Sequence, residues 1–169
     1  MKRTVFILCL IPILLFSGCF LFKNEAQELV MEELGLDISD AKVNFFLNTR
    51  KESNSGITMV EAEFSDDSFA GQFAGRQDFK ALPISQGLTD VLNSIDLLKD
   101  ESGELRIPYA DNGYYRIELI LEEDRQITQE QAAELIIAIY DGDTHKFHYH
   151  HISIDNINLL SKLQGLIEQ

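Results

Sequence analysis

Cysteine is nearly absent from this chain of 169 residues. The only two, Cys9 and Cys19, both lie close to the start, so no pair remains downstream to staple a disulfide fold. Positive charge is also scarce. Fourteen Lys and Arg stand against 28 Asp and Glu, giving a formal net charge of −14 and a pI near 4.5. That balance excludes general binding to phosphate backbones, which needs Lys and Arg to displace counterions. Collagen-like, coiled-coil, disulfide-rich and polytopic membrane classes are excluded too. Apolar residues make up 45% and charged residues 25%, the proportions of a folded globular chain, and one domain is expected at this length.

The first twenty residues stand apart. Lys2 and Arg3 precede an apolar run from Val5 to Phe16, interrupted only by Pro12. The run is too short for a membrane-spanning helix of ~20 residues and suits the core of a secretory signal. It ends Leu15-Phe16-Ser17-Gly18-Cys19. This boundary resembles the lipobox of bacterial lipoproteins, in which small residues precede a cysteine that becomes the lipidated first residue. The resemblance covers these twenty residues alone. It implies a signal peptide over 1–18, lipidation of Cys19, a lead segment over 19–23 and a single domain over 24–169. Removing Lys2 and Arg3 leaves 12 basic against 28 acidic groups, a net charge of −16. Two or three acyl chains anchor stably where one is marginal, so lipid rather than the anionic surface holds the membrane. Phe20 stands where some Gram-negative lipoproteins carry an inner-membrane retention Asp, which points to the outer membrane if the source has one.

The remaining chain alternates helical and strand patterns. Leu29, Val30 and Leu34 share a helix face over 25–34, with Glu25, Glu28, Glu32 and Glu33 expected on its wet face and Gly35 as the stop. Residues 42–48 read as a strand with Val43, Phe45 and Leu47 on one side, and 57–65 as its hairpin partner. Pro83 is expected to open a helix to Lys99, striped by Leu88, Val91, Leu92, Ile95 and Leu98. Residues 104–109 and 114–121 flank Asn112-Gly113 and read as a tight hairpin, with Pro108 keeping the first strand at an edge. Thr128-Gln129-Glu130-Gln131 forms a capping box for a helix through Tyr140. A final strand is expected over 146–153, and a last helix capped by Asp155. The class is α+β: a single two-layer domain, mainly an antiparallel sheet of about five strands covered by three or four helices.

All four histidines fall within seven residues: His145, His148, His150 and His151. On a strand His148 and His150 point one way and His145 and His151 the other. Imidazoles at i and i+2 can share a transition metal such as zinc, with Asp141, Asp143 or Asp155 as a further ligand. A third donor must come from elsewhere, and no His-Glu-x-x-His is present. Asp141-Gly142-Asp143 begins like a calcium loop, but His145, Lys146 and Ile152 stand where that loop needs an oxygen donor, Gly and Glu. Gly71 and Gly75 have three residues between them rather than the four of a Walker loop. Asp66-Asp67 and Glu122-Glu123-Asp124 are sequence neighbours, which rarely converge across a cleft. Phe45 and Phe46 point to opposite faces, and whichever is exposed is a partner-site candidate.

Three functional classes follow. The leading expectation is a membrane-anchored envelope lipoprotein without cofactor, a non-enzymatic module that binds another envelope protein or assists assembly and does not bind nucleic acid. The second is a metal-binding lipoprotein using the His145–His151 cluster through His148 and His150. The third is an envelope hydrolase whose residues no motif identifies.

Overall fold

The computed structural model describes residues 23, 25–50, 56–121, 133–154 and 156–167. The expected signal segment, Cys19, the capping box at 128–131, the acids at 122–124 and Asp155 lie outside these residues. No helix among the described residues is long and apolar enough to cross a membrane.

Six strands form one antiparallel sheet: β1 Lys42–Asn48, β2 Ile57–Glu63, β3 Lys80–Ala81, β4 Gly113–Leu121, β5 Ala133–Asp141 and β6 Lys146–Ile154. Their spatial order is β1-β2-β6-β5-β4-β3. Helix α1 (residues 25–34) covers one face, and α2 (Gln86–Asn93) and α3 (Ile157–Ile167) cover the other. The α+β class is therefore the one found, with six strands against the expected five.

On the α1 face, Ala26, Val30 and Leu34 pack against Val60, Ala62, Ile136 and Tyr149. A 3-10 turn, Asp67–Phe73, lies in the stretch with no clear sequence pattern and completes this layer. Asp66 caps it by accepting from Ser68 N at 2.9 Å. Phe69 stacks on Phe64 at 4.1 Å and meets the edges of Tyr140 and Phe147, while Phe73 stacks on Tyr114. Burying each such ring contributes roughly 1.5–3 kcal/mol. On the other face Leu88, Leu92, Ile95, Leu160 and Leu163 cover Leu135, Ile137, Ile139 and Ile152.

Several expectations require correction. The helix through Tyr140 is a strand over its described part. Leu135-Ile136-Ile137-Ala138-Ile139-Tyr140 is buried on both faces between β4 and β6. A central strand covered on both sides reads as a continuous apolar run, which periodicity alone does not separate from a buried helix. The 104–109/114–121 hairpin does not form. Residues 98–105 instead close a turn on Asp100, whose carboxylate accepts from Ser102 N and Glu104 N, and Arg106 N donates to Leu98 O at 2.8 Å. Gly113 turns toward β5: its φ is +128°, and a Cβ there would lie 2.0 Å from Tyr140 O. Asn112 O accepts from Gly142 N at 2.9 Å, so Asn112-Gly113 joins the β5–β6 turn rather than making its own.

The 83–99 helix is only Gln86–Asn93. Ser85 caps its start, Ser94 its end, and Ile95 turns extended before a short 3-10 turn at Asp96–Leu98. Its apolar stripe is nevertheless core. In β1 a bulge between Val43 and Phe45 breaks strict alternation, so Val43 and Phe46 share the α1 face. The last helix is capped by Asn156, whose Oδ1 accepts from Asn158 N and Leu159 N.

Candidate functional site

Strand β6 carries three of the histidines through the middle of the sheet, between β2 and β5. Strand alternation splits them as expected. His151 shares the α1 face with Phe147 and Tyr149, while His148 and His150 share the opposite face with Ile152. His145 stands in the β5–β6 turn at φ 54°, with Nδ1 3.4 Å from the Tyr140 hydroxyl.

His151 is the centre of a charged network. Its Nδ1 lies 2.7 Å from Glu33 Oε2 and its Nε2 2.9 Å from Glu134 Oε2. Arg50 reaches both acids, 2.8 Å to Glu134 Oε1 and 3.6 Å to Glu33 Oε1, and its guanidinium also contacts His151 Nδ1. The Tyr149 hydroxyl donates to Glu33 Oε2. Burial opposes ionisation of Glu33, but hydrogen bonds from His151 and Tyr149 and the charges of His151 and Arg50 outweigh it and lower its pKa. Burial, then the Glu33 carboxylate, push the Tyr149 hydroxyl far above its ordinary value. The network joins α1, the end of β1, β5 and β6, so it latches α1 onto the sheet. Glu33 is thus half-buried rather than on the wet face.

The other face of β6 is different in kind. His150 is fully buried, and among the described residues neither of its ring nitrogens has a hydrogen-bond partner. His148 Nδ1 is buried and orphaned as well. Burial, then Lys146, lower His148 to about 4 against a smaller opposing effect of Asp141. Burial, then His148 and Arg106, lower His150 to about 3. Both rings are therefore neutral at pH 7, the form that ligates metals. Strand register sets Met59 opposite His150 and Glu61 opposite His148. Arg106 covers this end of the sheet with its guanidinium 5.6 Å from the Phe45 ring centroid.

The remaining sequence candidates have local roles. Asp141 accepts from Asp143 N, Thr144 N and the Thr144 hydroxyl, an ordinary turn rather than an ion loop. Asp143 accepts from Asn112 Nδ2 at 2.9 Å. Gly71 lies inside the 3-10 turn, and Arg76 forks onto Asp78 at 2.9 and 2.6 Å. No three His, Cys, Asp or Glu converge as metal ligands among the described residues.

Hollows also lie elsewhere. A groove of about 590 Å³ runs along β1, lined by Lys23, Asp40, Val43, Asn44, Phe45 and Phe46. A cleft of about 280 Å³ between α2 and residues 105–111 is lined by Pro83, Leu92, Ile107, Pro108 and Tyr109, the last 73% exposed. Sequence reasoning missed Glu33, Arg50, Glu134 and Met59 as neighbours of the histidines. The only sequence signal for Met59 is its even spacing from Glu61 on a strand expected beside another. Comparison with protein-family models, with curated proteins and with solved structures gives no match to this chain.

Proposed function

We propose that the protein is a lipid-anchored envelope protein, held to the membrane through Cys19, whose body is a non-enzymatic module that binds another envelope protein. In a double-membraned envelope its place is the outer membrane. The observation that carries the binding reading is the β1 edge. β1 ends the strand order, so its outer side has no strand partner among the described residues. A groove of about 590 Å³ lies along it, walled by the half-buried rings of Phe45 and Phe46. A terminal strand beside apolar side chains is the arrangement that accepts an extended peptide as an added strand. Lys23 lines the same groove and is four positions from Cys19, so the edge faces partners at the bilayer surface.

Two measurements test this. Labelled fatty acid should enter the chain, and Cys19→Ala should abolish the labelling. A photo-crosslinking residue at Asn44 should trap an envelope protein in whole cells, and the same residue at Leu97, exposed but outside the groove lining, should not. Equal yields from both positions, or labelling unchanged by Cys19→Ala, would overturn the reading.

A further inference from the structure

On the α2/α3 face, β2 and β6 set four side chains in a two-by-two block: Met59 opposite His150, and Glu61 opposite His148. Directly opposite residues hold their Cβ atoms ~4.5–5.5 Å apart. A neutral imidazole carries one donor and one acceptor nitrogen, and leaving them buried without partners is costly. His150 bears that cost at both nitrogens, and His148 at Nδ1. Met59 is only 4% exposed yet belongs to neither apolar cluster, and strand register sets it between Leu47 and His150. A thioether and two unprotonated imidazoles thus occupy one closed patch in which hydrogen bonding explains none of the three.

We propose that His148, His150 and Met59 form a three-donor site for a soft monovalent metal ion, Cu(I). The donor chemistry chooses the ion. Imidazole serves zinc and copper alike, but thioether sulfur selects Cu(I) over harder divalent ions. Glu61 stands opposite His148, but no three His, Cys, Asp or Glu converge as metal ligands among the described residues, so the nitrogen–oxygen set that zinc prefers is not assembled. Arg106 places positive charge beside His150, which repels a monovalent ion less than a divalent one. Neutral imidazoles need lose no proton to bind. His148, the partly exposed member, is the outermost donor, while His150 and Met59 close the inner side.

The test titrates the full chain in detergent with Cu(I), anaerobically, against a chromogenic chelator of the same ion. Tight binding is expected, weakened ~100-fold or more by Met59→Leu, because even a residue that only supports a metal ligand is worth 10–100-fold. The substitution conserves volume, so the metal-free thermal midpoint should barely move. His148→Asn/His150→Leu should abolish binding. X-ray absorption should show a sulfur neighbour of copper in the parent chain that is missing in Met59→Leu. Absence of Cu(I) binding overturns the proposal. So does an affinity unchanged by Met59→Leu, a shell of nitrogen and oxygen alone, or Zn(II) held more tightly than Cu(I).

Discussion

Acidification should destabilise this protein well above the carboxylate range, and His150 should be a principal cause. Folded His148 and His150 titrate near 4 and 3, against 6.5 in the ordinary state. The sign follows from proton counting. Below pH ~6.5 the unfolded chain protonates both imidazoles and the folded chain does not, so stability falls as pH falls. The loss continues until pH passes the folded values. Around pH 5 nearly two extra protons favour the unfolded chain, a slope of ~3 kcal/mol per pH unit. Integrated from pH 7 to 5, the two rings remove about 4 kcal/mol, against typical domain stabilities of ~5–15 kcal/mol. The assay is urea unfolding of the full chain in detergent at pH 7, 6 and 5, beside His150→Leu. Carboxylate contributions are common to both chains and cancel in the comparison. The variant should lose only about 2 kcal/mol over the same range. It should also be more stable at pH 7, because an orphaned buried imidazole is replaced by an apolar group of similar volume. If the variant kept the full acid sensitivity, the account of His150 as a neutral, unpartnered core group would be refuted.

Three further outcomes are expected. Glu33→Ala removes the acceptor of Tyr149 and one ion partner of Arg50 and should cost ~2 kcal/mol in urea melts, the range of a charge-assisted hydrogen bond. Stability due to the lowered Glu33 pKa is present above its ordinary 4.5 and lost below it, so the difference between parent and Glu33→Ala should shrink as pH falls through that region. Gly113→Ala puts a Cβ against Tyr140 O at φ +128° and should cost more than ~3 kcal/mol, with hydrogen exchange at the start of β4 accelerated; a neutral effect would mean the β4–β5 register is misplaced. Leu92→Ala and Ile95→Ala should each cost ~2–5 kcal/mol by thermal melting, and a loss under ~0.5 kcal/mol at both would remove them from the core.

The legible parts of the fold are those whose pattern is local. The helix over 25–34 ends at Gly35, whose φ is +63°, as its place after the last apolar residue suggests. β2, β6 and α3 form where their period-2 and period-3.6 spacing places them. β5 was hidden because its two neighbours and two covering layers make Leu135 to Tyr140 continuously apolar, erasing the alternation that marks a strand. Asn112-Gly113 has the composition of a hairpin turn, yet its carbonyl and amide groups serve β5 and the Asp141–His145 turn. Turn chemistry specifies a backbone conformation without specifying the partner.

For the histidines the division has a physical basis. Alternation by itself determined that His148 and His150 share one face of β6 and that His151 takes the other, because side-chain direction in a strand depends only on parity. Composition and the first twenty residues likewise set the acidic surface and the expected lipid tether at Cys19. Only the tertiary structure decided what each face meets. Pairing of β6 with β2 brought Met59 to His150, from far away in the chain, and packing of α1 brought Glu33 to His151. Strand order and the layer that covers a face are fixed by burial summed over the whole sheet. The same local pattern on β6 would have served beside any partner strand, so its chemistry waited on which strand that was.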